Sequence, residues 1–423
     1  MKLRTLLYPL LLVVAVRLVL AAATPVFDTS EARYAAMSAN MARTGDFLVP
    51  RFTYKGEYQS FDGKPPLLFQ AGGVACKVFG VNEFAVRLPV LLATGFLFVL
   101  LFRVMLVLTD GDRHASLLAV TMTATSTAYA ALVGFCMTDG LLVACVAGAL
   151  LAHAALVKSV NRNWSLAVFA LLGFGMIVKG PVALVEFGLP VFLDCAVNRR
   201  WAVLTRYRWF WGLGLFALIA APWFVLMARQ NPDFLWYFFV NENLLRFLVH
   251  EYGDKYGAGR ETFRGMALVW LLVVTLPWSL GETWRWLRAR LGEWPGERLG
   301  ERRGRGRTAV RNNAPSAVLG WGVVGITGFW CLTSRVPMAY LMPTVPLACA
   351  WLVLRASSEE CQRLTRRVPL AAYLTSLVLV VGILGGMFIT DKMQGAAAPF
   401  KMKRYSYEFY HGVHGIPAGE VAR

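Results

Sequence analysis

Apolar runs long enough to cross a bilayer recur along this 423-residue chain, beginning with "MKLRTLLYPLLLVVAVRLVLAAATPVF" at residues 1–27. A helix rises 1.5 Å per residue, so about 20 apolar residues cover a hydrocarbon core of roughly 30 Å. No water reaches the backbone at that depth, which makes the α-helix the spanning element for such runs. Composition agrees, with 57% hydrophobic and 16% charged residues, against roughly 25% charged in a soluble domain. The expected fold class is an all-α polytopic membrane protein with about 11 transmembrane helices, within a range of about 9–13. The first run has the basic start of a signal peptide, but its length favours an uncleaved first helix.

Lys and Arg between the runs set the sides. Helix 1 (about 5–27) starts in the cytoplasm at Lys2 and Arg4, and residues 28–83 form a first long external loop with two helices lying on the membrane surface. Further spans are expected at about 84–108, 115–135, 138–157, 164–178, 181–197, 208–228, 266–282, 315–333, 339–355 and 369–390. A second external loop covers 229–262, and 391–423 form a short external tail. The segment 283–314 carries nine Arg between 285 and 311 and little to bury, which suits a cytoplasmic loop touching anionic lipid. The net charge of +18 therefore reflects topology, and nucleic acid is not an expected partner. Seven scattered Cys show no metal-ligand spacing and read as small apolar residues.

This threading puts most acids on the external face, where six stretches look chemical. "SEARYAAMSANMAR" reads as an amphipathic surface helix with Ser30 as cap and Glu31 in its first turn, preceded by Asp28 and followed by Arg33 and Tyr34. In "FDGKPPLLFQAGG" the turn residues Gly63, Pro65 and Pro66 set Asp62 and Lys64 at the membrane surface, where a Lys can hold a lipid phosphate or merely snorkel. "CMTDGLLVA" puts Asp139 at an external helix end, and "IVKGPVALV" puts Lys179 at the tip of the next hairpin. Charges inside apolar sequence cost about 2.5–3.5 kcal/mol on insertion scales, so Asp139 is expected to pair, with Lys64 or with Lys179. "VNENLLRFLVHEYGD" brings Glu242 and Arg246 four apart on an aromatic segment, either as a surface pair or with Arg246 kept for an anion. "TSRVPMAYLMPTVPLA" joins Arg335 and Tyr340 to three prolines, a broken helix start where irregular backbone lines a cavity.

In this order the motifs "SEARYAAMSANMARTGDFLVPRF", "KPPLLFQAGGVACKVFGVNEFAVRLP", "MTDGLLVA", "VKGPVAL", "NENLLRF" and "SRVPMAYLMPTVPLA" resemble those of the C-type membrane glycosyltransferases. The resemblance is to the bacterial branch related to protein mannosyltransferases and to the aminoarabinose transferase of lipid A, and it covers roughly residues 20–350. It implies a polyprenyl-phosphate-linked sugar donor, an inverting transfer to a lipid A-type glycolipid or protein acceptor, and a multi-pass location in the bacterial inner membrane. The N-terminus would then be cytoplasmic and the C-terminus periplasmic, with residues 1–390 as the transferase domain and a monomer as the expected state. By the same resemblance Asp28 or Glu31 is the catalytic base, and Arg33, Lys64, Arg246 and Tyr340 hold the donor phosphate. Tyr34, Asp62, Asp139, Lys179, Glu242 and Arg335 support them. The family's "EKPP" is "DGKPP" here, so Asp62 stands in for the Glu. Asn243 replaces a His metal ligand, so no metal or other cofactor is expected beyond a weak divalent site. The C-terminal external domain of longer relatives is expected to be absent or reduced to 391–423.

The chemistry suits the layout. Departure of a phosphate from the anomeric carbon needs cations, and the attacking acceptor needs a carboxylate to take its proton. A secondary transporter or lipid flippase would also carry charges in apolar helices, but it would show internal repeats and acids at midplane. A catalytically dead scaffold of the same fold is the third alternative.

Overall fold

In the computed structural model the described residues are 3–26, 29–54, 57–245, 249, 261–281, 314–394 and 408–413. The chain is a mainly helical bundle, in which α1 (Arg4–Ala23) leads through α2 (Thr29–Thr44), α3 (Leu67–Phe79) and α4 (Glu83–Leu108) to a broken pair, α5 (Arg113–Ala124) and α6 (Thr127–Leu132). There follow α7 (Thr138–Lys158), α8 (Trp164–Lys179), α9 (Val182–Asn198), α10 (Trp209–Gln230) and the short α11 (Phe234–Trp236), which continues as a π-helix over Tyr237–Leu245. The last described helices are α12 (Met266–Val274), α13 (Ala314–Cys331), α14 (Thr344–Arg355) and α15 (Ser358–Gln394).

Seven helices among the described residues are long and apolar enough to cross a membrane, and α7 is the axis of the bundle. Its apolar stretch is 94% buried, whereas those of α1, α4 and α10 are each 28% buried. A helix that is apolar all round needs either protein or lipid on every side. For α7 that is protein, and for the outer three it is mostly lipid. At the positions of the other four expected spans the described residues form shorter or broken helices: α5 with α6, α8, α9, and α12.

Several boundaries differ from the sequence expectation. The expected span 115–135 breaks at Thr125–Ser126, where both hydroxyls turn back onto carbonyls of α5, to Thr121 and Thr123. Such local side-chain bonds compete with helix continuation. The span expected over 266–282 is interrupted after Val274, and Pro277 lies in that interruption. α15 begins at Ser358 and includes "EECQRLTRR", which apolarity alone assigns to a loop; Ser357 and Glu360 cap its start reciprocally. The broken start expected around Pro337–Pro346 is present, as a 3-10 turn over Met338–Leu341 followed by α14. The Arg-rich segment falls almost wholly outside the described residues.

The first long loop forms a layer across the site end of the bundle. α1 stops at Thr24, whose hydroxyl returns to the Leu20 carbonyl before Pro25 ends the helix. α2 occupies the range expected for the surface helix, and α3 starts directly after Pro65–Pro66. The two pack closely because Gly72 has no side chain, a Cβ there falling 2.6 Å from Ser38 Oγ. Between them lies a short antiparallel hairpin, β1 (Arg51–Tyr54) with β2 (Glu57–Ser60), in an otherwise helical set of elements.

The described tail residues 408–413 return to this same layer. Glu408 is fully buried, accepting from Asn40 Nδ2 at 2.7 Å and from the Thr53 N–H at 3.2 Å, while Arg43 holds the carbonyls of Glu408, Phe409 and Tyr410. Glu408→Ala leaves the Thr53 N–H buried and unmet and Asn40 Nδ2 with only its bond to the Arg51 carbonyl, so it is expected to destabilise the layer by about 1–3 kcal/mol. Faster hydrogen exchange at Asn40 and Thr53, with α7 unchanged, checks this.

Candidate active site at the loop-bearing face

The first buried charge of the site belongs to Glu31, in the opening turn of α2. Its two carboxylate oxygens accept from Arg87 Nε at 2.8 Å and Nη2 at 3.0 Å, and Oε1 also accepts from the Cys136 N–H at 3.0 Å. Arg87 in turn donates to the carbonyls of Ala21, Thr24 and Pro25 and to the Thr24 hydroxyl. These carbonyls end α1, where a helix leaves acceptors unmet and the dipole favours a cation. Glu31 and Arg87 are both fully buried, so the pair fastens α1, α2, α4 and the 133–136 segment together. Asp28, the other acid named from the sequence, lies outside the described residues, as does Arg246.

Two further pairs line the same face. Lys64 donates to Glu242 Oε1 at 2.6 Å and to the Gly63 carbonyl at 2.8 Å. Lys179, at the end of α8, donates to Asp139 Oδ1 at 2.6 Å and lies 3.9 Å from the centre of the Tyr340 ring. Of the two partners open to Asp139, the structure selects Lys179. The α8–α9 turn that presents Lys179 needs Gly180, with φ of 83° and the Phe238 ring 2.5 Å from where a Cβ would sit. Tyr340 packs on Trp330 with ring centroids 4.3 Å apart, and the Trp330 indole donates to Glu186 Oε1 at 2.7 Å.

Arg33 and Tyr34 complete the face from α2. The Arg33 guanidinium lies 5.4 Å from the Tyr34 and Phe61 ring centroids and 6.0 Å from that of Phe52. Its Nε is buried without a hydrogen-bond partner among the described residues. Burial raises the Tyr34 phenol above its usual range, with Asp139 and Glu242 adding to the rise and Arg33 and Lys179 opposing it. Tyr34 therefore stays a neutral hydroxyl near both ion pairs. Asp62 is buried in the turn before Lys64. Arg335 pairs with Glu261 at 3.0 Å, and Asn243 donates to the Phe238 carbonyl at 2.7 Å. Among the described residues no three His, Cys, Asp or Glu side chains converge where they could hold a metal ion.

Arg87, Glu186 and Trp330 belong to this network without having been singled out in the sequence. The available signal was depth: Arg87 follows "EFAV" in a long apolar run and Glu186 interrupts "VALVEFGLPVF", and a charge so placed needs a partner. Together the pairs give a polar face at the helix ends, with cations held by single carboxylates. Such cations can shift toward a phosphate without a new charge being buried.

Residues 63–226 match the family model for dolichyl-phosphate-mannose-protein mannosyltransferase. Curated relatives include the undecaprenyl phosphate-alpha-4-amino-4-deoxy-L-arabinose arabinosyl transferase 1 of Proteus mirabilis, 28% identical over 230 residues, which are 53% of this chain and 41% of the relative. The corresponding transferase of Serratia proteamaculans is 26% identical over 226 residues, covering 52% and 40%. The matched region thus spans about two fifths of those relatives' own length. Among solved structures, ArnT from Cupriavidus metallidurans bound to undecaprenyl phosphate superposes with a TM-score of 0.68 at 19% identity, over 98% of this chain and 76% of that one. The Archaeoglobus fulgidus oligosaccharyltransferase superposes with a TM-score of 0.53 at 13% identity, over 89% and 56%. The fold is that of these multi-pass membrane proteins.

Proposed function

We propose that this chain is a glycosyltransferase that moves a sugar from a polyprenyl-phosphate donor to a lipid A-type glycolipid, at the periplasmic face of the bacterial inner membrane. The observation that carries the reading is the convergence of Lys64–Glu242 and Lys179–Asp139 beneath Tyr34 and Tyr340, two cations at helix ends beside apolar surface. The relatives' names give a donor of matching chemistry, an undecaprenyl phosphate sugar.

In the reaction the acceptor oxygen attacks the anomeric carbon from the side opposite the phosphate, which inverts that centre. The C1–O bond breaks with its electron pair leaving on the phosphate. Lys64, with Arg246 four positions after Glu242 in the sequence, takes up that charge, and Lys179 and Tyr340 fix the sugar end. The acceptor proton passes to Asp28. Glu31 is the weaker candidate, because Arg87 and the Cys136 amide hold its carboxylate; it positions α2, and so the start of the loop that carries Asp28.

Reconstituted protein with labelled undecaprenyl-phosphate sugar and lipid A tests the assignment. Asp28→Asn is expected to lower the transfer rate by about 10²–10⁴-fold, the usual contribution of a general base, with donor binding retained. Transfer at the wild-type rate rules Asp28 out as the base, and lipid movement without sugar transfer replaces the transferase reading with a flippase.

A further inference from the structure

A second charged feature lies beside the Glu31–Arg87 pair and plays no part in the chemistry above. Arg17 is in α1, six residues before Ala23, about 9 Å along the axis at 1.5 Å per residue. It is 7% exposed, and its Nε is buried with no hydrogen-bond partner among the described residues. The charged groups that act on it are Arg87 and Glu31. Among the described residues, one carboxylate beside two guanidinium groups leaves this buried cluster with one uncompensated positive charge.

The surroundings are shaped for Arg17. Gly134, at φ of 99°, leaves the space its guanidinium fills, a Cβ there falling 2.6 Å from Arg17 Nε, and the Phe135 ring stacks 5.0 Å from its centre. Below it a cleft of about 100 Å³ runs between α1 and α4, lined by Val13, Leu18, Leu91, Phe98 and Tyr129. Leu18 is 43% exposed and Leu92, next to the lining Leu91, is 65% exposed. On helices whose outer surface is lipid-facing, the cleft opens sideways to the bilayer.

We propose that this cleft binds an acidic phospholipid of the leaflet that abuts the active site, its phosphate on Arg17 and an acyl chain between α1 and α4. Charge complementarity selects the headgroup, since an anion neutralises the cluster and a zwitterion does not. The apolar lining selects a chain rather than a soluble ion. The site stands independently of the transfer reaction, because it is read by lipid retention.

Native mass spectrometry of the full chain, released from micelles doped equally with phosphatidylglycerol and phosphatidylcholine, is the test. Wild type is expected to retain one phosphatidylglycerol in preference. Arg17→Gln should cut that preference about tenfold, the scale of one charge-assisted hydrogen bond. Gly95→Leu fills the cleft from α4 and leaves the Arg17 charge in place, because a Cβ at Gly95 meets nothing within 4 Å. It should also reduce retention, and it keeps the test decisive where Arg17→Gln fails to fold. Equal retention of both lipids, or a preference that survives either substitution, overturns the proposal. So does displacement of phosphatidylglycerol by polyprenyl phosphate, which would assign the cleft to the donor.

Discussion

Arg87→Ala is expected to lower the free energy of unfolding by about 3–5 kcal/mol, the range for removing one member of a buried ion pair. The cost arises from what remains. Glu31 would keep a fully buried carboxylate without its matching cation, though still accepting from the Cys136 N–H, and the terminal carbonyls of α1 would lose their donor. Glu31→Gln should cost less, since an amide oxygen can still accept from Arg87. Replacing both residues together, Glu31→Leu with Arg87→Met, should recover much of the loss, because no unmatched charge then stays inside. Denaturant unfolding in detergent micelles measures all three, and a double-mutant cycle isolates the coupling. An Arg87→Ala protein as stable as wild type would show that the α1–α2–α4 junction rests on apolar packing alone.

That junction illustrates how far the sequence was legible. Run length located the spanning helices, because the bilayer imposes one dimension that any chain must match. It placed α2 within about a residue at each end, through Glu31 at its start and the apolar spacing along it. It missed the β1–β2 hairpin, since "RFTYKGEYQS" is too short for a period to stand out. It also missed the break between α5 and α6, where the Thr and Ser hydroxyls of "TATST" bond backward. For the site, residue types were readable but partners were not. Asp139 and Lys179 were named as one of two pairings because both sit at the tips of neighbouring hairpins. Lys64 and Glu242 stand 178 positions apart in sequence, and only helix packing brings them together. Glu31 is the instructive case: an acid at a helix start reads equally as cap or base, and Arg87, 56 positions later, is what gives it a structural role.

Lys64→Ala is expected to lower kcat/KM for a polyprenyl-phosphate sugar by about 10²–10³-fold, the range for removing one donor aimed at developing charge. The backbone on either side explains why no neighbour compensates. Gly63 and Pro65–Pro66 fix the turn, and the ammonium is drawn in by the Gly63 carbonyl and Glu242, leaving its third N–H for a phosphate oxygen. Lys64→Arg should recover only part of the rate, since a planar fork cannot reproduce a compact ammonium between those two oxygens. Glu242→Gln gives the complementary result. With the carboxylate gone, the donor phosphate meets no competing anion, so its KM should fall while release of polyprenyl phosphate slows. A Lys64→Ala protein with unchanged kcat and a raised KM would mean that Lys64 binds the donor equally in ground and transition states. The leaving phosphate would then be stabilised chiefly by Lys179, whose ammonium is already fixed by Asp139 and the Tyr340 ring.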